Sequence, residues 1–368
     1  MEKVVAIDAR MLGFSGIGTY LKNLFENYAR MECDFSFRLA CPRQESVREF
    51  GADRFTWVRA DAPIYSLREQ WQILLAAKGA DLLHCPHYNV PCFYRGKLLV
   101  TIHDLTHITD RTFRRTLPSL LYARPMLAIA SGKADHIIAD SDFTKRQIME
   151  RLRISPKKIT VIYLGVSPQF PGRSHEESFQ TASSALQLRR PYLLYIGALK
   201  PHKNVPTLIR AFALLRGRRR LEQQLLIVGD DPKWKKGLVS LCSQLGIAGH
   251  VSFIPHAAHA ILPQVYAGAD LMVMPSFIEG FGLPVLEAMA CGTPVVCSRA
   301  ASLPEVAGDA AEYFEPTSVE DLAAAMEGVL SSTERQAELR RRGLERVKLF
   351  SWEECARRHC EVYRNLLA

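Results

Sequence analysis

The feature that most constrains this chain is an alternation repeated along nearly its whole length: a short apolar run, a turn, an amphipathic stretch, then the next apolar run. In the first half, residues 4–8, 36–40, 56–59, 82–85, 98–103 and 136–140 have the length and the β-branched or leucine-rich make-up of buried strands. The intervening stretches, among them a segment from about residue 19, 65–78 and 117–131, read as helices. Strands separated by helices pair in parallel, because a parallel partner is reached only by a crossover, and the crossover helices cover both faces of the sheet.

The pattern breaks at 164–188, where Gly165, Pro168, Pro171 and Gly172 lead into a polar, Ser-rich stretch ending at Arg190. A linker between two domains is expected there. The alternation then resumes, with strands expected at 192–196, 225–228, 251–254, 271–274 and 294–297 and helices at 205–215, 235–245, 260–267 and 284–290. Further helices, at about 319–330, 333–349 and 352–367, close the chain. The expected fold class is α/β, with two Rossmann-like, doubly wound domains at 1–168 and 169–351. A length of 368 residues suits two domains of roughly 100–200 residues each.

Composition narrows the setting. The charged start MEKVVAIDAR runs straight into a strand, which is not the pattern of a signal peptide, and no apolar run approaches the roughly 20 residues that span a bilayer. Nine cysteines, odd in number and scattered, suit a reducing compartment better than a disulfide framework. An intracellular protein is therefore expected. The net charge of +9 is uneven: residues 1–170 hold 24 Lys+Arg against 17 Asp+Glu (+7), and the remainder holds 23 against 21 (+2). A basic first half points to an anionic partner such as a membrane surface or a phosphorylated acceptor. Nucleic acid is not expected, since no zinc finger, aromatic RNA-binding motif or helix-turn-helix signature accompanies the charge.

Ligands of doubly wound sheets bind outside the carboxyl ends of the strands, so the loops that follow strands carry the chemistry. The most informative is Glu279-Gly-Phe-Gly-Leu-Pro-Val-Leu-Glu287, which follows the strand at 271–274 and opens a helix near Pro284. Gly280 and Gly282 let the backbone approach a ligand, the helix start offers N–H groups to a diphosphate or to sugar hydroxyls, and Glu287 can grip both hydroxyls of a ribose. The bland alternative is a helix start with dipole-favoured acids. In Gly197-Ala198-Leu199-Lys200-Pro201-His202-Lys203-Asn204, a lysine in the exit loop can neutralise a departing diphosphate, while Gly197 permits the tight exit; the alternative is a solvated basic loop.

In the first half, the turn Gly13-Phe-Ser-Gly16-Ile-Gly18 offers N–H groups to an oxyanion or simply provides positive φ. His103 follows a strand and is a candidate to hydrogen-bond a sugar or its phosphate, or a satisfied core histidine. His84-Cys-Pro-His87-Tyr-Asn89 reads as lining a ligand crevice; its spacing matches no usual zinc set. Arg111, Arg114, Arg115 and Arg124 are interleaved with Leu117, Leu120, Leu121 and Tyr122, as in a helix that lies on an anionic membrane or in an ordinary helix with a solvated charged face.

These motifs resemble, over the whole chain, those of the retaining glycosyltransferase family 4, the "group 1" family of GT-B fold. The resemblance is carried by the E-x7-E pair Glu279 and Glu287 and by IDARMLGFSGIGTYLKNL, HCPHYNVP, TIHDL, YIGALKPHKNVPTLIRAF and SFIEGFGLPVLEAMACGTPVV. The PHKN loop resembles that of bacterial mannosyltransferases of surface-polysaccharide assembly. The resemblance implies that Glu287 binds the nucleotide ribose, Glu279 and the backbone of Gly280, Phe281, Gly282 and Leu283 hold the donor sugar and diphosphate, and Lys203 binds the diphosphate. It places Gly16 near the phosphates, His103 near the anomeric carbon, and the helix at about 352–368 back on the first domain. It further implies a nucleotide-sugar donor, GDP-mannose first and UDP-glucose or UDP-N-acetylglucosamine next, a glycan or lipid-linked acceptor, no cofactor or metal, and transfer by a front-face route or a covalent one. One position departs from the family pattern: Ala198 stands where many members have the arginine that completes the phosphate clamp, with Lys200 or Arg299 as the available substitutes. A nucleotide-sugar epimerase or hydrolase, and a non-catalytic binding subunit, are the alternatives.

Overall fold

The computed structural model describes residues 2–14, 16–51, 54–109, 119–170, 174–188, 191–218 and 221–368. The chain divides into two compact units, one of Met1–Gly165 with Ser351–Ala368 and one of Val166–Phe350. In the first, strands β1 (Lys3–Asp8), β2 (Phe35–Cys41), β3 (Phe55–Arg59), β4 (Leu82–Cys85), β5 (Lys97–Ile102), β6 (His136–Ala139) and β7 (Ile159–Val161) form a parallel sheet in the order β3-β2-β1-β4-β5-β6-β7. In the second, β8 (Tyr192–Ile196), β9 (Gln224–Val228), β10 (Val251–Ile254), β11 (Leu271–Met274), β12 (Val295–Ser298) and β13 (Glu312–Phe314) follow the order β10-β9-β8-β11-β12-β13, again all parallel.

Both sheets are α/β doubly wound. Strand order reverses between β1 and β4 in the first unit and between β8 and β11 in the second, and such a reversal opens a crevice at the strand ends. The central strands are apolar without alternation because helices cover both faces; β4, β11 and β12 are buried at every residue. Helix starts are set locally. Ser66, Ser141, Ser318 and Ser351 each cap a helix by accepting the backbone N–H three residues on, which satisfies one of the donors a helix start leaves unpaired.

Within residues 164–188, where a linker is expected, residues 175–186 are helical. Ser174 caps a helix, His175–Leu186, through the N–H of Glu177, and Gly268 of the second unit lies so close to it that an added Cβ would sit 2.6 Å from Phe179 Cα. The chain changes unit at Gly165/Val166, at the start of that stretch, and again at Phe350/Ser351. At Gly165 an added Cβ would lie 2.1 Å from the backbone nitrogen of Trp352, so only glycine lets the outgoing and returning segments touch. Pro171, Gly172 and Arg190 lie outside the described residues.

Strands expected at 98–103 and 136–140 end one residue sooner, at Ile102 and Ala139, which places His103 and Asp140 in exit loops. The expected helix at 117–131 is, from residue 119, a π-helical turn, Ser119–Ala123, running into the helix Arg124–Lys133; Leu117, Arg111, Arg114 and Arg115 lie outside the described residues. The last helix, Trp352–Leu367, belongs to the first unit, where Tyr363 is buried edge-on against Phe35 and Phe37.

Candidate active site

In the second unit, the loops that leave β8 and β11 flank the crevice where strand order reverses. The β8 exit is tight. Gly197 (φ 154°) and Gly229 (φ 152°), leaving adjacent strands, approach so closely that a Cβ on Gly229 would lie 1.9 Å from the Gly197 carbonyl oxygen. The loop then makes a single 3-10 turn, Pro201–Lys203, and Asn204 takes a left-handed conformation (φ 56°) before the helix Val205–Arg218. Asn204 fastens the loop, because its Nδ2 donates to the carbonyls of Pro275 (3.0 Å) and Pro316 (2.8 Å), and the Phe277 N–H donates to the His202 carbonyl at 2.8 Å. The loop after β8 is thus tied to the loop after β11.

That tie brings Lys203 onto Glu279. The ammonium donates to both carboxylate oxygens, each at 2.7 Å, and both side chains are largely buried. Ser276 Oγ donates to Glu279 Oε1 at 2.6 Å, so the carboxylate has two ammonium contacts and a hydroxyl. Ser302 Oγ holds the loop from below through the carbonyls of Glu279 (3.0 Å) and Phe281 (2.9 Å), and Ser298 Oγ donates to the Ser276 carbonyl. Gly282 is the N-cap of the helix Leu283–Ala290 at φ 102°, where an added Cβ would strike Leu303 at 2.8 Å. No side chain caps this helix, and Pro284 occupies its first turn.

Glu287 lies one turn into that helix. The buried hydroxyl of Tyr266 donates to its Oε2 at 2.6 Å. Burial pushes the carboxyl up to about 7, and the Tyr266 hydrogen bond opposes this only in part. A carboxyl poised there ionises readily when a neighbouring group supplies donors, as the two hydroxyls of a ribose do. At the Ala198 departure, the backbone carbonyl accepts from Tyr195 Oη (2.7 Å), while Arg299 places its guanidinium 4.8 Å over the Tyr313 ring. Among the described residues, no group of three or more His, Cys, Asp and Glu side chains is gathered as metal ligands would be.

The first unit presents a different set. His103 is held from both sides, by Asp140 Oδ2 at Nδ1 (2.6 Å) and by the Pro86 carbonyl at Nε2 (3.0 Å). Both partners only accept, so this geometry belongs to the imidazolium. Burial alone lowers its pKa; the charge and hydrogen bond of Asp140, the Pro86 carbonyl and Asp104 together outweigh burial, and the net shift is upward. Gly16, at φ 76°, is the N-cap of the helix Ile17–Tyr28; two residues on, a Cβ on Gly18 would lie 2.4 Å from the Leu12 carbonyl oxygen. His84 does not line a crevice. It is fully buried, bonded through Nε2 to Thr101 Oγ1 (2.9 Å) and through Nδ1 to Tyr363 Oη (2.8 Å) of the last helix. Its place in the middle of the sheet between β1 and β5 leaves it no solvent face.

Models of two families match the chain: "Glycosyltransferase Family 4" over residues 14–170 and "Glycosyl transferases group 1" over residues 176–346. The O-antigen chain mannosyltransferase B of Escherichia coli is 32% identical over 290 residues, a match covering 77% of this chain and 74% of that protein. The chain belongs to the group 1 glycosyltransferases of family 4. A D-inositol 3-phosphate glycosyltransferase of Mycobacterium marinum is 32% identical over 248 residues, 64% of this chain; the match spans about half, 51%, of that longer relative. Among solved structures, the Anabaena protein HepE in complex with UDP-glucose superposes with a TM-score of 0.79 at 18% identity, covering 99% of both chains. Two doubly wound units of this kind are the GT-B architecture. This glycosyltransferase thus holds, in its second unit, a lysine–glutamate ion pair between two loops and a buried carboxyl one turn into the helix that follows.

Several residues that build the site are assigned no role by the sequence alone. Asn204, Ser298, Ser302, Tyr266 and Gly229 in the second unit, and Asp140 in the first, act through partners 20 or more residues away, while Ser276 acts on Glu279, three residues on. Ser276, Ser302 and Asp140 do carry one usable signal, since each stands in the loop that follows a strand.

Proposed function

We propose that this glycosyltransferase moves a hexose, mannose from GDP-mannose, to a glycan or lipid-linked acceptor of cell-surface polysaccharide synthesis, with retention of anomeric configuration. The observation that carries the reading is the meeting of Lys203 and Glu279 at the β8/β11 switch point, beside an uncapped helix start. When the donor binds, its diphosphate takes the Lys203 ammonium and the N–H groups of the helix start, and Glu279 turns to sugar hydroxyls. Negative charge develops on the departing diphosphate, and fixed donors aimed there stabilise the transition state. Glu287, with Tyr266 behind it, holds the ribose. The leaving phosphate accepts the acceptor's proton, and no metal takes part.

Mannose is favoured by the likeness to an O-antigen chain mannosyltransferase. A UDP-glucose or UDP-N-acetylglucosamine donor is the second reading, favoured by the fold shared with a protein crystallised with UDP-glucose. A basic first half, with Arg124 and the preceding Arg111, Arg114 and Arg115, seats the protein on the inner face of an anionic membrane, where a lipid-linked acceptor lies. Incubation with GDP-mannose or UDP-glucose and a polyprenyl-linked glycan acceptor, in excess EDTA, tests the reading by NMR of the product. An α-mannosyl product is expected. Transfer from UDP-glucose alone reassigns the donor, an inverted linkage or a strict Mg²⁺ requirement refutes the mechanism, and free or isomerised sugar without acceptor turnover favours a hydrolase or epimerase.

A further inference from the structure

Five of the six most exposed large apolar side chains among the described residues fall in one region of the first unit: Leu67 (88% exposed), Phe93 (75%), Leu121 (74%), Leu75 (67%) and Trp71 (63%). Leu67, Trp71 and Leu75 recur every four residues along the helix Leu67–Ala76 and so stand on one stripe, while Glu69, Ile73 and Ala76 bury the opposite one. Two hydrogen bonds bring the other apolar groups beside that helix. Gln70 Oε1 accepts the Cys92 N–H at 2.7 Å, next to Phe93, and Glu69 Oε1 accepts from Tyr122 Oη at 2.6 Å, next to Leu121. Tyr65 closes the end of the patch, edge-on to Tyr122 at 5.2 Å. A cluster of this kind on a soluble surface marks something that covers it.

Charge identifies the cover. The same segments expose Arg59, Arg68, Lys78, Arg95 and Arg124. Their acids are two: Glu69, buried on Arg10 and Tyr122, and Asp61, held by Arg59 and Arg68. An apolar stripe rimmed by cations with no exposed, unanswered acid suits a surface that is apolar in depth and anionic at its face. We infer that the face made by Leu67, Trp71, Leu75, Phe93 and Leu121 seats this protein on an anionic lipid bilayer, with the apolar side chains at the acyl boundary and the flanking arginines on lipid phosphates. This deepens the membrane reading given above by assigning it an apolar anchor, and it is independent of the donor.

The test is flotation of the whole chain with vesicles of phosphatidylcholine containing about a third phosphatidylglycerol, at low salt and at about 1 M salt, where exposed charges are screened within roughly 3 Å. Wild-type protein is expected to float with these vesicles and to keep part of its binding at high salt. A Leu67→Ser/Trp71→Ser/Leu75→Ser variant is expected to lose at least about tenfold in partitioning with an unchanged melting temperature, since all three side chains are solvent-exposed. Trp71→Phe is expected to float but to lose the blue shift of tryptophan emission on vesicles. Equal flotation of the serine variant, or a blue shift that survives Trp71→Phe, overturns the assignment of this face while leaving an arginine-held association standing. Failure of the wild type to float overturns both.

Discussion

Both units gather polar side chains around the ends of their central strands, yet the two clusters are built differently. In the first, Tyr20, His84, Thr101, His359 and Tyr363 hydrogen-bond one another in a closed network: Tyr20 Oη to Thr101 Oγ1 (3.0 Å) and to His359 Nε2 (2.7 Å), His84 to Thr101 and Tyr363. Each is almost completely buried, and burial keeps both histidines neutral, well below the ordinary range for His84 and down to about 4 for His359. In the second, a lysine and a glutamate from different loops answer one another while the lysine keeps part of its surface. A strand's carboxyl end is thus not enough to mark a ligand site. Neutral groups satisfied on all sides fasten a helix to a core, whereas charged groups that answer one another across loops have a partner they can exchange for a ligand.

The largest effect is expected at Lys203. Lys203→Ala removes a cation from the place where charge develops on the leaving group, and kcat/KM is expected to fall by about 10²–10³. If Glu279→Gln is added, the loss should be less than the sum of the two singles, because the pair shares one contact. Next comes Glu287→Ala, for which nucleotide affinity is expected to fall about 10–100-fold, as for the loss of hydrogen bonds to a charged group, read by calorimetric titration. The carboxyl at about 7 adds a pH signature: affinity should rise from pH 6 to pH 8 in the wild type and lose that slope in Glu287→Gln. The sign for stability is opposite. Its folded pKa stands above the ordinary 4.5, so the stability it contributes is complete below 4.5 and is lost as pH rises through about 7. Glu287→Gln should therefore melt higher than wild type at pH 8, the exchange of function for stability typical of a ligand site.

Tyr363→Phe leaves the His84 Nδ1 without its buried partner and should cost about 1–3 kcal/mol in denaturant unfolding, with nucleotide affinity unchanged. A large loss of affinity with little loss of stability would erase the distinction between the two clusters. The smallest effect is expected at His103. Its raised pKa means that the pairing with Asp140 stabilises the fold fully below the ordinary histidine range and that this contribution is lost as pH rises through the folded value. Asp140→Asn should flatten that part of the stability–pH curve.

The alternation of strands and helices was legible in the sequence because parallel sheets demand apolar strands and crossover helices, which are local patterns. Residues 175–186 escaped because their apolar content is low; the helix is fixed by the Ser174–Glu177 cap and by packing on Gly268, and only the cap is a local signal. The site divides in the same way. Glu279, Glu287 and Lys203 sit in motifs that can be read along the chain. Asn204 reaching Pro275 and Pro316, or Ser302 reaching the Glu279 carbonyl, are hydrogen bonds between loops that only the sheet brings together. His84 departs from its sequence expectation for the complementary reason. Its place near a strand end suggests a crevice-lining residue, but its partners Thr101 and Tyr363 lie 17 and 279 residues away and close over it.

Lys203 and Glu287 are proposed to hold a nucleotide diphosphate in the second unit. The most direct test is the thermal shift of wild type, Lys203→Ala and Glu287→Ala with GDP, UDP, ADP and dTDP. At 100 times its Kd a nucleotide should stabilise the wild type by about 2.7 kcal/mol, with GDP giving the largest shift and both variants losing most of it. A nucleotide shift that is undiminished in both variants would contradict the claim and place the donor elsewhere in the molecule.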